Sequence, residues 1–186
     1  MARRVAYRIT DGWLDAARRC PSPNVNARPD GCPVDLLVIH NISLPPGEFG
    51  GGYVEQLFCN TLDCSEHPWF DQLHGLEVSA HLFIARDGAL TQFVPFHARA
   101  WHAGASVFEG RSNCNDFSIG IELEGTDLTP YTDRQYTALS AVTRSVMREF
   151  RGISLGRIVG HADVAPGRKT DPGAAFDWNR YRRALR

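Results

Sequence analysis

The longest uninterrupted apolar pattern in this chain of 186 residues lies between Asp35 and Ser43. Its residues are apolar on both alternating faces as far as His40, which is typical of a central strand covered on each side. Because side chains alternate along a strand, His40 shares a face with Leu36 and Val38 and emerges near the strand end. The pattern therefore predicts a buried strand that ends in a histidine.

A second strand is predicted from Phe117 to Glu124, where apolar and polar positions alternate cleanly. One face carries only apolar side chains. The other carries Ser118, Gly120, Glu122 and Glu124. Two small residues followed by two acids are unusual for a solvated surface, and they suit the wall of a cleft.

A third short strand is predicted at 157–159, directly before His161, which we expect at the junction of strand and loop. The best helix runs from about Asp133 to Phe150, with Thr132 as N-cap and Gln135 three residues later. Asp177 is predicted to cap a final short helix. Weaker patterns predict a helix at 53–62, a loop at 63–75, a hairpin of 77–86 and 89–94 around Asp87-Gly88, and a long irregular passage at 98–116.

Mixed strands, helices and a hairpin indicate an α/β fold, with a central mixed β-sheet flanked by helices. The length is that of one domain, 1–186, in which residues 1–33 form an N-terminal arm. Three prolines before Pro33 make this arm mostly irregular.

Composition narrows the functional classes. Hydrophobic residues are 43%, charged residues 22%, and the net charge is −1, as in ordinary globular proteins. This balance gives no electrostatic reason to expect nucleic acid or a membrane as partner. The basic N-terminus lacks the apolar core of a signal peptide, and five scattered cysteines fit reduced thiols. We therefore expect a cytoplasmic protein.

Candidate chemistry is concentrated between Gly160 and Gly173, a segment restrained by glycines and prolines. Together with His40, it offers His161 and either Asp171 or Asp163 as a set of two imidazoles and a carboxylate. Catalytic zinc takes three such ligands and leaves a fourth position open. With seven histidines in the chain, ordinary core or surface histidines explain this spacing equally well.

Other clusters favour structural roles. Cys59, Cys64 and His67 have the spacing of no common zinc finger. Cys114 would need a paired histidine to act as a nucleophile. We expect His81 in the core or behind a ligand, and Trp101-His102 to pack and form hydrogen bonds. There is no phosphate-binding glycine loop and no G-x-S-x-G elbow.

Five motifs in register resemble one known family. They are Val38–Ser43, Val78–Gly88, Arg99–Gly104, Asn115–Asp127 and Gly160–Gly173. Together they are similar to the zinc-dependent N-acetylmuramoyl-L-alanine amidases of the peptidoglycan-recognition superfamily, and within it to the cytoplasmic anhydro-muropeptide amidases. The likeness runs from about Trp13 to Tyr181. It implies hydrolysis of the amide between anhydro-N-acetylmuramic acid and the L-alanine of the stem peptide, on a small soluble substrate, in peptidoglycan recycling.

The resemblance also implies roles for single residues. It assigns one Zn²⁺ ion to His40, His161 and Asp171, the general base to Glu122, and the cation beside the oxyanion to Lys169. Asn41, Tyr53 and Trp101 match positions near the substrate.

Several positions distinguish branches of the superfamily. Ala80 stands where peptidoglycan-recognition proteins and phage amidases carry tyrosine, and Asp171 where they commonly carry cysteine; both favour the recycling branch. Glu77 and Asn113 replace arginines of some members, which affects expected peptide affinity. Two alternatives remain: a non-catalytic muropeptide-binding module, and a broader amidase acting on polymeric cell wall.

Overall fold

A computed structural model describes residues 7–186, so the basic start of the chain, 1–6, lies outside the described residues. Within this described part, twelve strands and four α-helices follow one another. The strands are β1 (Ile9–Thr10), β2 (Trp13–Leu14), β3 (Arg18–Arg19), β4 (Val25–Asn26), β5 (Leu36–Ile42), β6 (Leu82–Ile84), β7 (Leu90–Gln92), β8 (Arg99–Ala100), β9 (Val107–Phe108), β10 (Arg111–Ser112), β11 (Ser118–Glu124) and β12 (Ile158–Gly160). The helices are α1 (Tyr53–Phe58), α2 (Asp133–Glu149), α3 (His161–Val164) and α4 (Trp178–Leu185).

The central sheet has six strands in the order β12-β5-β11-β6-β7-β3. β12, β5, β11 and β6 are parallel, β7 is antiparallel to β6, and β3 is parallel to β7. The sheet is therefore mixed and carries helices, which confirms the predicted fold class. Three further pairs of two-residue strands lie outside it: β1-β2, β4-β8 and β9-β10.

The two longest strands, β5 and β11, are neighbours at the centre of the sheet. They run in register, with Leu36 opposite Ser118 and His40 opposite Glu122. All seven residues of β11 are buried, as are the first five of β5. Buried neighbours on both sides explain why both sequence runs are so apolar.

The two faces of this strand pair have different roles. One face carries Leu37, Ile39 and the isoleucines of β11 into the largest core cluster, where they pack with apolar residues of α2 and α4. The opposite face carries His40 and Glu122, over a smaller apolar layer that includes Val38, Ala103 and Val164. The larger core thus lies behind the sheet, and the polar face is left for a cleft.

Helix α2 begins and ends close to the predicted positions. Thr132 and Gln135 form the expected capping box: the Thr132 hydroxyl accepts from Gln135 N–H and the Gln135 side chain accepts from Thr132 N–H. The Asp177 carboxylate accepts from Arg180 N–H and starts α4, also as predicted.

Four local predictions need correction. The helix at 53–62 ends at Phe58, because Asn60 adopts a positive φ of 57°. The predicted loop at 63–75 contains two 3₁₀-helices, Cys64–Glu66 and Pro68–Leu73, whose first turns are capped by side chains of Asp63 and His67.

The predicted hairpin is real, but its strands are only three residues long. Residues 77–81 form no strand, because Ser79 N–H donates to Trp101 O and His81 N–H donates to Gly120 O as isolated bonds. His161 follows β12 as predicted, but it begins the one-turn helix α3 rather than a loop.

The N-terminal segment from residue 7 wraps the sheet and contributes four two-residue strands. Arg28 anchors this segment to the rest of the domain, because its guanidinium donates to the main-chain carbonyls of Phe96, Asn115 and Ser118. Across residues 7–186, none of the helices combines the length and apolar character that a bilayer crossing requires.

Candidate active site

The centre of the candidate site is a pair of residues on neighbouring strands. His40 of β5 and Glu122 of β11 are register partners, so their side chains leave the same face of the sheet side by side. Both are buried. The sheet itself therefore sets the separation of these two groups.

The segment that follows β12 brings further groups to this pair. Gly160 allows close approach, since a Cβ there would lie 2.8 Å from Cδ of Pro172. Asp163 braces the turn by accepting from Gly160 N–H at 2.7 Å, and Ala162 N–H donates to Asp171 O. Asp163 is exposed and its carboxylate binds a main-chain N–H group, whereas the carboxylate of Asp171 contacts the two histidines.

Three donor atoms converge at this point. Nδ1 of His40 lies 3.0 Å from Nδ1 of His161, and each of these nitrogens lies 3.1 Å from Oδ2 of Asp171. A tetrahedral zinc with bonds of 2.0–2.1 Å places its ligand atoms about 3.3 Å apart. In the part of the chain from residue 7 onward, this is the one such group of metal-ligating side chains.

The contact made by Nε2 of His161 shows which of its two ring nitrogens carries the proton. Nε2 of His161 lies 3.1 Å from the carbonyl oxygen of Ala103. A carbonyl can only accept a hydrogen bond, so Nε2 carries the proton and Nδ1 presents a lone pair. This is the tautomer that a metal ligand needs, and it supports the fit of zinc to this donor set.

The protonation states of the residues at this centre are also those needed to bind a cation. Burial lowers the pKa of His40 to about 4, so its imidazole is neutral at pH 7. Burial alone would raise the pKa of Asp171, but the adjacent imidazoles of His161 and His40 outweigh it and keep that pKa below its usual range. The centre thus offers the neutral imidazole of His40, the Nδ1 lone pair of His161 and the carboxylate anion of Asp171.

Glu122 differs from the other acid groups of the site. Burial, with a smaller effect from the Asp171 carboxylate, raises its pKa well above 4.5, while Lys169 acts in the opposite direction. Its Oε2 atom is buried and has no hydrogen-bond partner. A buried carboxyl oxygen without a partner is available to exchange a proton with a bound molecule.

A cleft of about 950 Å³ opens over these groups. Its lining includes Glu122, His161, Lys169 and Asp171, together with Asn41 and Trp101. Asn41 donates to Asp127 Oδ1 at 2.9 Å, and Trp101 Nε1 donates to Asn26 Oδ1 at 2.7 Å. Tyr53 is not among the lining residues, and its ring packs edge-on against Phe70.

The structure places the competing candidates elsewhere. Cys59, Cys64 and His67 form no ligand group within the described part of the chain, and all five cysteines are free thiols. Cys20 and Cys59 are nevertheless neighbours, with sulfur atoms 3.5 Å apart. Burial raises the pKa of the Cys114 thiol, which argues against a nucleophile.

His81 lies in the core, where it accepts from Gly120 N–H, as predicted. Sequence patterns did not predict that His102 contacts a candidate ligand: its Nδ1 lies 2.9 Å from Nε2 of His40. The one available signal was Gly120 on the polar face of β11. A Cβ there would lie 2.4 Å from Cγ of His102, so the glycine makes room for that ring.

The family model described as N-acetylmuramoyl-L-alanine amidase matches residues 30–174, which include all the groups of the site named above except Asn26. The chain belongs to this amidase family. It is 56% identical over 174 residues to the 1,6-anhydro-N-acetylmuramyl-L-alanine amidase AmpD of Escherichia coli K12, with 94% of each chain covered. The AmpD of Haemophilus influenzae Rd is 51% identical, over 93% of this chain and 94% of the relative.

Solved structures of amidases agree with this assignment. A crystal structure of a selenomethionine derivative of AmpD superposes with a TM-score of 0.94 at 53% identity, covering 96% of this chain and 99% of the other. The E. coli amidase AmiD, in complex with the substrate anhydro-N-acetylmuramic acid-L-Ala-D-γ-Glu-L-Lys, gives a TM-score of 0.61 at 26% identity. That match covers 86% of this chain and 61% of AmiD.

Proposed function

We propose that this chain is a cytoplasmic zinc amidase of peptidoglycan recycling, built as one domain across residues 1–186. It hydrolyses the amide that joins anhydro-N-acetylmuramic acid to the L-alanine of the stem peptide in small soluble muropeptides. The observation that carries the proposal is the convergence of three donor atoms beside an unpartnered buried carboxyl oxygen. Identity above 50% to AmpD enzymes supports the choice of substrate.

His40, His161 and Asp171 would hold one zinc ion. When bound, zinc supplies a Lewis acid that polarises a carbonyl and lowers the pKa of water. The neutral imidazoles and the anionic carboxylate leave one positive charge on such a site. Their burial keeps this charge poorly screened and therefore effective on a bound amide.

Glu122 would accept the proton of the attacking water at Oε2 and then deliver it to the nitrogen of the departing L-alanine. Its raised pKa suits both steps, because a carboxyl group that titrates nearer to neutrality gives up a proton as well as it takes one. Lys169, on the cleft wall, would stabilise the negative charge that develops on the carbonyl oxygen. Asn41, Trp101 and Tyr53 are proposed to contact the substrate; Asn41 and Trp101 line the cleft, and Tyr53 lies outside its lining.

The test is incubation with anhydro-muropeptide, with and without a chelator, followed by mass spectrometry of the free stem peptide. We expect release that the chelator abolishes and added zinc restores, and no release by the His161→Ala variant. Intact cell-wall sacculi provide the comparison substrate. Release of stem peptide at an unchanged rate in the presence of the chelator would rule out the metal-based mechanism. Zinc binding without release of stem peptide would indicate a binding module. Faster release from sacculi would indicate an enzyme of polymeric wall.

A further inference from the structure

The segment Trp101-His102-Ala103 lies against both candidate zinc-binding histidines. The carbonyl of Ala103 accepts from Nε2 of His161, and Nδ1 of His102 lies 2.9 Å from Nε2 of His40. Asn115 holds this segment, since its Oδ1 accepts from the main-chain N–H groups of His102 and Ala103 at 3.1 and 2.8 Å. One short segment therefore contacts the outer nitrogen of each histidine, through the backbone of Ala103 and the side chain of His102.

The hydroxyl group of Ser118, which lies beside Nε2 of His102, determines which ring nitrogens of His102 and His40 carry protons. Ser118 Oγ lies 2.6 Å from the carbonyl oxygen of Cys114, so the hydroxyl hydrogen must point toward that carbonyl. Nε2 of His102 lies 3.2 Å from the same Ser118 Oγ. Since the hydroxyl hydrogen is already committed, Ser118 accepts, and His102 carries its proton on Nε2.

The tautomer of His40 is then determined. A neutral His102 protonated on Nε2 has a lone pair on Nδ1, which accepts from Nε2–H of His40. Nδ1 of His40 is therefore left without a proton, facing His161 and Asp171. If the Ser118 hydroxyl instead donated to Nε2 of His102, the oxygens of Ser118 and Cys114 would lie 2.6 Å apart with no hydrogen between them. That arrangement would also place a proton on Nδ1 of His40, where the metal would bind.

We propose that His102 is a positioning residue for the metal centre, which fixes the zinc-binding tautomer of His40 through the chain Cys114–Ser118–His102. This inference rests on the proposed function, because it takes His40 as a zinc ligand. Groups that orient metal-bound histidines in this way typically contribute 10–100-fold to metal affinity.

The test compares zinc affinities of the whole protein by competition with a chromophoric chelator. His102→Leu and His102→Asn are a matched pair, since the two side chains have nearly the same shape and only asparagine offers an acceptor at the δ position. We expect roughly 10–100-fold weaker zinc binding in the leucine variant and a recovery toward the parent value in the asparagine variant. Equal losses in both variants, or no loss in either, would overturn the proposal.

Three further measurements distinguish this proposal from its alternatives. Ser118→Ala, which removes the hydroxyl and leaves His102 in place, should weaken zinc binding in the same direction by less. Nitrogen NMR of the zinc-free parent should show His40 protonated on Nε2, and a mixture of tautomers in His102→Leu; an unchanged tautomer there would contradict the proposal. If His40→Ala binds zinc as tightly as the parent, the ligand assignment itself fails, and this inference falls with it.

Discussion

Glu122 sits at a position that is unfavourable for the stability of the fold. Its carboxyl group is buried, one oxygen has no partner, and its pKa is raised mainly by burial. Above the usual pKa of 4.5, the unfolded chain gains more from ionising this group than the folded chain does. Glu122 therefore lowers the free energy of unfolding at neutral pH and has no such effect in acid.

We expect Glu122→Gln to bind zinc, to lose activity by about 10²–10⁴-fold, and to melt at a higher temperature than the parent at pH 7. In zinc-free protein, the gain should disappear as the pH falls toward 4, because the parent's group is then protonated in both states. The measurement is thermal unfolding across this pH range, beside the peptide-release assay.

Glu124 provides the control on the same strand. It is also buried, but its two oxygens accept from the N–H groups of Gly50 and Arg86. Glu124→Gln should lower the melting temperature, because an amide cannot accept both bonds as a carboxylate does. A gain in Glu124→Gln, or none in Glu122→Gln, would contradict this account.

At the scale of elements, the fold of the segment from α3 to Gly173 determines which of two acidic residues can be the third zinc ligand, a choice that sequence patterns leave open. Asp163 and Asp171 both follow His161 closely, and their spacing fits a ligand equally well. The structure separates them by their contacts: Asp163 accepts from a main-chain N–H, and Asp171 contacts the histidines.

Asp171→Asn should lose zinc, since the amide replaces the anionic ligand atom. Asp163→Ala should keep zinc and lower the free energy of unfolding by about 1 kcal/mol, the usual effect of removing the acceptor of a helix cap. Zinc content after dialysis and denaturant unfolding give the two readouts. Retention of zinc by Asp171→Asn would remove this residue from the proposed ligand set.

The elements that sequence patterns predicted well are those with a strong local signal. β5 and β11 have long apolar patterns and α2 combines apolar periodicity with an N-cap, and the bounds of all three agree to within a residue or two. The 3₁₀-helices at 64–73 were missed because short side-chain caps fix them, without apolar periodicity. The contact between His40 and His102 was missed because His102 lies in an irregular segment, 62 positions along the chain from His40.

At the scale of the whole molecule, the largest core cluster and the chemistry lie on opposite sides of one sheet. The largest core cluster fills the side under α2 and α4, and the cleft opens on the other. Zinc binding would add free energy of folding on the cleft side only, because the three donor atoms meet only in the folded chain.

We expect zinc at 100 times its dissociation constant to add about 2.7 kcal/mol to the free energy of unfolding. For a chain of this length, that raises the melting temperature by roughly 5–10 °C. Differential scanning calorimetry with a zinc series is the measurement, and His161→Ala should show no comparable rise. A similar rise in that variant would place the stabilising zinc elsewhere.

The register of β5 and β11 has a consequence for how the chain tolerates changes in length. Backbone hydrogen bonds between adjacent strands hold His40 beside Glu122, so insertions in the surrounding loops leave their separation untouched. Deleting one residue inside either strand would turn one of the two side chains to the opposite face. In a library of single-residue insertions and deletions, changes inside β5 or β11 should therefore abolish activity, whereas changes in loops that carry none of the proposed ligands should be tolerated.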